Sequence, residues 1–233
     1  MRTGTQEPEE GTGVVFWGDE LIFVDVASLD GTTEYLAEVR TAATVRVKVP
    51  RNKRDVDFAV GIAQSQGEFI VLLNNDTIVT EGWLEHLVAL ADFDPQIGMV
   101  GAMSNHAAPP QWTGPVPYRL VTGDRSETST GSASHGANLP VDAIDPFARE
   151  RREGHKKEWF ETERLAGFCV LVKRVAFEKT GPYVVPFPLG FSDEELSRRM
   201  RQAGYRLACC RDLFIHHFGS RSTARAPTAS DKT

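Results

Sequence analysis

The clearest structural signal in the chain is Gly67-Glu-Phe-Ile-Val-Leu-Leu-Asn-Asn-Asp76. Its apolar residues 69–73 form a continuous run, which is typical of a parallel strand that is buried on both faces. Ligands of open α/β sheets bind outside the carboxyl ends of the strands, so the polar residues 74–76 are placed where a site is expected. One carboxylate with two amide oxygens suits a divalent cation that holds a diphosphate, although the same residues also suit a simple turn before a helix.

Outward from this stretch, strand and helix patterns alternate along the first hundred residues. The patterns predict strands at 21–25, 69–73 and 99–103, and helices at 34–40, 55–66 and after Thr80. This alternation predicts an α/β fold with a mainly parallel, twisted sheet that is flanked by helices.

The regular pattern stops between residues 104 and 163, which predicts a long loop region of the kind that usually carries function. Regular patterns then return and predict strands at 168–173, 206–210 and 213–218, and helices at 175–179 and 192–203. The ends, 1–13 and 223–233, are rich in small and polar residues, so we expect flexible tails around a single domain over 14–222.

The composition excludes several classes of function. The 233 residues include 26 basic and 32 acidic side chains, and the net charge of −6 argues against general nucleic-acid binding. No apolar run approaches 18 residues, so no transmembrane segment is expected. The three cysteines lack the spacing of metal ligands, which indicates a reducing, cytoplasmic environment.

Three further places carry chemically capable side chains. Asp25 ends the first predicted strand, where it is either a site residue or part of a turn. The acids at 193–195 begin a helix; they stabilise its dipole, and one of them could act as a general base. His216-His217 ends the last predicted strand, and a histidine there would complete a metal site with Asp76 unless the pair is only structural.

Taken together, these motifs resemble the family 2 glycosyltransferases of the GT-A fold over about residues 20–222. The resemblance depends on the order of seven separated motifs: 25–32, 67–76, 82–84, 167–169, 190–196, 203–205 and 216–222. The family transfers a sugar from a nucleotide-diphosphate donor to an acceptor hydroxyl, so the resemblance implies such an enzyme, a glycosyltransferase of the hexosyl type.

By this resemblance, Asn74-Asn75-Asp76 matches the DxD-like motif, in which the last acid binds Mg²⁺ or Mn²⁺ at the donor diphosphate. Asp25 would contact the nucleotide sugar, and His216 matches the histidine that supplies a further metal ligand in some members. The bound metal would neutralise charge on the departing nucleoside diphosphate.

The resemblance also implies a single catalytic base. Counting back six residues from Arg199 places it at Asp193, with Glu194 and Glu195 as close competitors. The base would remove a proton from the acceptor hydroxyl, and the oxygen would then attack the anomeric carbon with inversion of configuration. Unlike a glycoside hydrolase, this reaction needs one base and a metal in place of two carboxylates.

A narrower resemblance concerns residues 103–111 and 116–118, which look like the bacterial branch of surface-polysaccharide and O-antigen assembly. It implies a saccharide or lipid-linked saccharide acceptor and a cytoplasmic protein that is peripheral at the inner membrane face. The region 104–163 would face this acceptor, and Trp112, Tyr118 and Trp159 are the candidates for stacking on a sugar ring.

The sequence departs from the family at its beginning, where the usual first nucleotide-binding strand is missing: only 20 residues precede Leu21. The resulting open edge would favour a homodimer or a partner chain that completes the sheet. The main alternative is therefore a non-catalytic or fragmentary GT-A-like module that binds saccharide or a partner protein. A nucleotidyltransferase is a further alternative, but the start of the chain contains no Gly-rich phosphate loop.

Overall fold

The computed structural model describes residues 20–25, 31–38, 44–48, 57–122, 125–127, 137–139, 143–181 and 192–219. The predicted tails lie outside these residues. By its internal contacts the chain divides into two compact units; the described parts of the first fall within 20–67, and those of the second are 68–181 and 192–219. A single domain over 14–222 therefore stays a prediction.

The first unit combines a parallel pair of strands with two helices: β1 (Leu21–Asp25), α1 (Thr32–Glu38), β2 (Thr44–Lys48) and α2 (Asp57–Gln64). Helix α2 lies close to β1, because a Cβ atom on Gly61 would come within 3.1 Å of Val24 Cγ2. The strand at 21–25 and both helices agree with the sequence patterns to within two residues at each end.

The second unit contains most of the described elements, and its longest helices have 11 residues. No helix among the described residues is long and apolar enough to cross a bilayer. In chain order the elements of this unit are β3 (Phe69–Leu73), β4 (Thr77–Ile78), α3 (Trp83–Phe93), β5 (Ile97–Met103), β6 (Tyr118–Thr122), β7 (Arg125–Glu127), β8 (Ala137–Leu139), α4 (Ile144–Gly154), β9 (Trp159–Thr162), β10 (Cys169–Lys173), α5 (Arg174–Thr180), α6 (Ser192–Gln202), β11 (Arg206–Phe214) and β12 (His216–His217).

The main sheet of this unit has the described order β3-β10-β5-β11-β9. Strand β10 is antiparallel to both β3 and β5, so β3 and β5 run in the same direction, and β11 is parallel to β5. Strand β9 is antiparallel to β11. The sheet is therefore mixed, whereas the sequence predicts a mainly parallel one. An apolar run shows that a strand is buried, but it does not show that a strand from late in the chain is inserted between two earlier ones.

The core lies on both faces of this sheet. Every residue of β5 is buried, and so are the first four residues of β10. Helix α3 packs on β5 and β11 through Leu87 and Leu90, and α6 packs on the same two strands through Leu196 and Met200. The four-residue spacing of Leu196 and Met200 is the one that gives a helix a single apolar face.

The region 104–163, predicted to be a long loop, contains regular structure. Strand β6 pairs antiparallel with β7 and parallel with β8, and helix α4 and strand β9 follow. Helix α4 includes most of the basic patch at 149–157 and packs on β11 through Ile144 and Ala148. Its apolar residues are few, and its charged residues dominate the local composition, so the narrow apolar stripe did not stand out in the sequence.

Replacing Leu171 with alanine tests the core position of β10. Leu171 is fully buried on a strand that lies between β3 and β5, so the variant should lose about 3 kcal/mol of unfolding free energy in chemical denaturation. The control Val175→Ala removes methyl groups from a side chain that is 64% exposed and should change stability by less than about 0.5 kcal/mol. Equal losses in the two variants would contradict this description of the core.

Candidate functional site

Three strands that run in the same direction end at one edge of the sheet, and polar residues follow each of them. Asn74 follows β3, Ser104 follows β5, and His216 lies two residues beyond β11. The carboxyl edge of a sheet with this arrangement is where ligands bind in α/β folds. This edge is therefore the candidate site.

A short second ladder holds the first and third of these segments together. Strands β4 and β12 pair antiparallel, with His216 opposite Ile78 and His217 opposite Thr77. Next to the ladder, the Phe218 amide donates to the Asp76 carbonyl oxygen over 2.9 Å. The loop after β3 is thereby fixed against the segment after β11, which places Asp76 beside the two histidines.

The imidazole that pairs with Asp76 belongs to His217. Its Nε2 atom lies 3.2 Å from Asp76 Oδ1, and the two side chains are only 12% and 10% exposed. His217 Nδ1 lies 2.8 Å from the carbonyl oxygen of His106, which can only accept, so Nδ1 carries a proton and Nε2 faces the carboxylate. Burial lowers the pKa of His217, but the Asp76 carboxylate and the His106 carbonyl outweigh it and leave this pKa above its ordinary value.

Aromatic contacts fix the orientation of the His217 ring. Phe168 stacks on it with a centroid distance of 5.3 Å and an interplanar angle of 19°. The ring of His106 meets it edge to face at 5.4 Å. Gly219, at φ 73°, lies under the His106 ring, where a Cβ atom would come within 2.3 Å of the ring, so only glycine fits there.

His216, which the sequence predicts as the metal ligand, has a different environment. It is 3% exposed, and its Nδ1 atom lies 2.9 Å from the hydroxyl of Tyr118. Burial lowers the pKa of His216 to about 4, so the imidazole is neutral near pH 7. The structure thus brings His217 to Asp76 and places His216 in a buried pair with Tyr118.

The chain segment before β10 has three successive amides, each bound by a side chain. Leu165 N donates to Ser197 Oγ over 3.2 Å, Ala166 N donates to Gln111 Oε1 over 2.6 Å, and Gly167 N donates to Asp193 Oδ2 over 2.9 Å. Asp193, the predicted base, therefore has a fixed position beside residue 167. The next residue is Phe168, which stacks on His217, so this segment connects Asp193 with the Asp76–His217 pair.

The two competing acids are bound by arginines. Glu194 lies 2.8 Å from Arg164, and Glu195 lies 2.6 Å from Arg198 and 3.7 Å from Arg199. The hydrogen bond from Arg198 is the main cause that lowers the pKa of Glu195. Asp193, by contrast, accepts hydrogen bonds from the backbone N–H groups of Gly167 and Glu194.

The other residues predicted to contact the nucleotide sugar belong to two different units of the chain. Asn74 donates its backbone N–H to the Phe168 carbonyl oxygen over 2.9 Å, and Asn75 is exposed at the turn. Asp25 belongs to the first unit, where it is 8% exposed and accepts a 2.5 Å hydrogen bond from Thr33 Oγ1.

The three aromatic acceptor candidates have three different environments. Trp112 is 44% exposed on the segment after β5, whereas Tyr118 is only 2% exposed and presents no open face to a ligand. Trp159 contacts Phe93 and Arg206, which lie near the amino ends of β5 and β11. The backbone of Trp159 pairs with Cys210 of β11, which lies opposite Ala102 of β5.

The donor set of Asp76 and His217 fits a divalent cation. Two ligands bonded at about 2.1 Å to one octahedral ion lie about 3 Å apart, close to the 3.2 Å between Oδ1 and Nε2. The buried Nε2 atom lacks an aligned hydrogen bond, and Nδ1 is bound to a carbonyl oxygen, as is usual for histidine ligands. Within the described stretches, no three His, Cys, Asp or Glu side chains could hold a metal together. Further ligands would come from phosphate oxygens and water.

Comparison with protein families decides the classification. The model of glycosyl transferase family 2 matches residues 18–181, which is most of the chain. The chain belongs to this family.

Two curated relatives are much longer than this glycosyl transferase family 2 chain. It is 28% identical over 219 residues to the uncharacterized protein y4gI of Sinorhizobium fredii. This alignment covers 89% of the chain but 22% of y4gI. The chain is 31% identical over 173 residues to the O-antigen biosynthesis protein RfbC of Myxococcus xanthus, covering 72% of the chain and 12% of RfbC. The chain thus spans about a fifth of the first and an eighth of the second.

Solved structures confirm the predicted GT-A fold. GalNAc-T7, determined with UDP, GalNAc and Mn²⁺, matches with a TM-score of 0.56 and 16% identity, over 85% of this chain and 37% of that one. The mannosyltransferase PcManGT of Pyrobaculum calidifontis, determined with GDP-Man and Mn²⁺, matches with a TM-score of 0.56 and 20% identity, over 88% and 49%. At these identities the likeness concerns the fold.

In this family 2 chain, three residues that no sequence pattern singles out lie at this edge of the sheet: His217, Asn105 and Gln111. The family resemblance matches His216 and not His217, and Asn105 and Gln111 occur only within the segment 103–111 of the narrower resemblance. Neighbouring strand residues point to opposite faces, which shows that one histidine of the pair faces the site. Choosing between them required the pairing of β12 with β4.

Replacing Tyr118 with phenylalanine tests the pair with His216. The change removes the hydroxyl and leaves the buried Nδ1 atom without this partner, so unfolding free energy should fall by about 1–2 kcal/mol in chemical denaturation. The same substitution at Tyr35, which is 45% exposed, serves as the control and should cost less than about 0.5 kcal/mol. A Tyr118 variant as stable as the Tyr35 variant would show that the pair contributes nothing.

Proposed function

We propose that this chain transfers a sugar from a nucleotide-diphosphate donor to an acceptor hydroxyl, with a divalent metal and with inversion at the anomeric carbon. The Asp76–His217 pair at the carboxyl edge of the sheet carries this proposal, because the two side chains are little exposed, their polar atoms are 3.2 Å apart, and the His106 carbonyl oxygen fixes the imidazole. Membership of glycosyl transferase family 2 supports the reaction class.

Asp76 Oδ1 and His217 Nε2 would hold Mg²⁺ or Mn²⁺, and both neighbours named above were determined with Mn²⁺. When bound, the metal neutralises charge on the departing diphosphate. The chain's own contribution is orientation: Phe168 and the His106 carbonyl oxygen fix the imidazole, and the ladder of β4 with β12 fixes Asp76 beside it. This arrangement favours His217 over His216 as the second ligand.

Asp193 is the proposed base. Its carboxylate takes a proton from the acceptor hydroxyl while that oxygen forms a bond to the anomeric carbon, and the bond from this carbon to the diphosphate oxygen breaks. The nucleoside diphosphate leaves with the electron pair of the broken bond. The N–H of Gly167 holds Oδ2 of Asp193 in place, whereas Glu194 and Glu195 are engaged with arginines.

We propose that Asn74 and Asn75, which directly precede Asp76 after β3, contact the nucleotide sugar, while a contact from Asp25 stays a prediction of the family resemblance. The two solved neighbours were determined with UDP and with GDP-Man, so a uridine or guanosine nucleotide is the first choice to test. For the acceptor we retain Trp112, because it is 44% exposed on the segment after β5.

Similarity to RfbC supports a process for this chain, namely O-antigen or related surface-polysaccharide synthesis. The acceptor would then be a saccharide or a lipid-linked saccharide, presented at the inner face of the membrane to a cytoplasmic enzyme.

Calorimetric titration with UDP, GDP and dTDP, each with and without Mn²⁺, tests the donor site first. Binding of one nucleotide that depends on Mn²⁺ is the expected result and would identify the donor class. A folded protein that binds none of the three under either condition would contradict the proposal and favour a non-catalytic module.

The Asp76→Asn variant should lose Mn²⁺-dependent nucleotide binding, because an amide is a much weaker metal ligand than a carboxylate. The affinity should fall by about 10- to 100-fold in the same titration. Asp92→Asn makes the same change at an exposed position on α3 and should bind like the wild type. Unchanged affinity in Asp76→Asn would remove this residue from the site.

The Asp193→Asn variant should show the opposite separation of effects. The asparagine side chain keeps an oxygen that can accept the hydrogen bond from Gly167 N, but it cannot take a proton from the sugar acceptor. Nucleotide affinity should therefore stay within about twofold, while turnover falls by about 100-fold or more. Turnover is measured as release of the nucleoside diphosphate from the matching nucleotide sugar, with water as the acceptor. A variant with full turnover would move the base to Glu194 or Glu195.

A further inference from the structure

The loop after β5, residues 104–111, contains two buried or half-buried amide side chains that bind backbone groups on opposite sides of it. Asn105 binds the backbone of His217, and Gln111 binds the backbone beside Gly167. We propose that this loop positions the two halves of the site separately: Asn105 positions the metal half, and Gln111 positions the half that holds the base. The inference rests on the proposed function.

The loop is closed on itself at Ser104, which is fully buried. Ser104 donates its backbone N–H to the Gln111 carbonyl oxygen over 2.9 Å, and its own carbonyl oxygen accepts from Thr113 N over 2.9 Å. The Ser104 hydroxyl also accepts from His106 N over 3.2 Å. Because Ser104 binds the backbone of Gln111 and Thr113, the beginning and the end of the loop are held together at the end of β5. The side chains of Asn105 and Gln111 therefore extend from one fixed place.

Asn105 holds the His217 backbone at both of its polar atoms. Its Oδ1 atom accepts from His217 N over 2.9 Å, and its Nδ2 atom donates to His217 O over 3.0 Å. This double contact replaces the ladder hydrogen bonds that a neighbouring strand would supply. It fixes the main chain from which the proposed ligand Nε2 extends.

Gln111 makes the corresponding contact on the other side. It is 1% exposed, its Nε2 atom donates to Ala102 O over 2.8 Å, and its Oε1 atom accepts from Ala166 N over 2.6 Å. The next amide along the chain, Gly167 N, donates to Asp193. Gln111 therefore connects β5 to the segment that holds the proposed base, one residue away from that contact.

The close approach of Gln111 to β5 depends on Gly101. A Cβ atom there would lie 2.8 Å from Gln111 Nε2 and 2.8 Å from Leu165 Cδ2. Both contacts are shorter than packed atoms allow, so the glycine opens the space in which the amide reaches Ala102. Asn105 and Gln111 thus bind two different backbone segments, one that carries His217 and one that lies next to Gly167, the partner of Asp193.

Two nearly isosteric variants test the separation. Asn105→Leu should weaken Mn²⁺-dependent binding of the nucleotide identified by titration by about tenfold, because the ligand backbone loses both of its partners. Gln111→Met should leave that affinity within about twofold and lower kcat for donor hydrolysis by about tenfold, since Asp193 loses its fixed position. Equal effects of both variants on affinity and kcat would overturn the inference.

A purely structural role is tested by a destabilised control. Leu87→Ala removes a fully buried side chain on α3, away from the loop, and should destabilise the fold at least as much as either loop variant. At a temperature where all variants are folded, it should retain wild-type affinity and kcat. If Leu87→Ala shows the same losses, the loop contributes only stability.

Backbone and imidazole NMR signals of the full chain decide the inference independently of activity. Gln111→Met should speed the hydrogen exchange of the Ala166 and Gly167 amides and leave the His217 imidazole signals in place, whereas Asn105→Leu should shift those imidazole signals alone. If the wild type binds no nucleotide, the proposed function fails and this comparison still decides the positioning. Variants with unchanged signals at both places would refute it.

Discussion

The site depends on one constraint of the sheet, which is the common direction of β3, β5 and β11. Because these strands run the same way, the segments after them meet at one edge, although they are far apart in the chain. Strand β10 lies between β3 and β5 in the reverse direction, so its beginning, and with it Phe168, reaches the same edge. Asp193, which binds Gly167 on the segment before β10, and the Asp76–His217 pair beyond β3 and β11 are thereby brought to the same edge by the topology.

The segments beyond the strand ends have irregular backbones, and buried backbone groups need hydrogen-bond partners. Side chains supply these partners here. Asn105 binds the backbone of His217, and three successive backbone amides donate to the side chains of Ser197, Gln111 and Asp193. These contacts link stability to function, since a side chain that satisfies a buried amide also fixes the residue beside it. They also give a structural reason for the segment 103–111, whose amide side chains bind the backbone next to the site.

Much of the fold could be predicted from the sequence, because buried strands such as 69–73 and one-sided helices such as 192–203 have clear periodic patterns. The region 104–163 could not, because α4 is mostly charged and β6, β7 and β8 are short. Asp76 is a candidate because it follows a strand, and the structure places its Oδ1 atom 3.2 Å from His217 Nε2. The choice between His216 and His217, and the burial of Tyr118, depend on the register of β12 and on contacts between distant residues, which no local pattern contains.

The three consecutive acids at the start of α6 show how a structure distinguishes side chains that the sequence treats alike. All three lie in the first helical turn and interact equally well with the helix dipole. Their partners differ: Glu194 and Glu195 pair with guanidinium groups at the surface, while Asp193 turns toward Gly167, where a Cβ atom would come within 3.3 Å of its own Cβ. Guanidinium groups engage the oxygens of Glu194 and Glu195, whereas the oxygens of Asp193 accept from the backbone N–H groups of Gly167 and Glu194. Because Gly167 precedes Phe168, whose ring stacks on His217, the acid that is held by backbone groups is also the one that the fold connects to the Asp76–His217 pair.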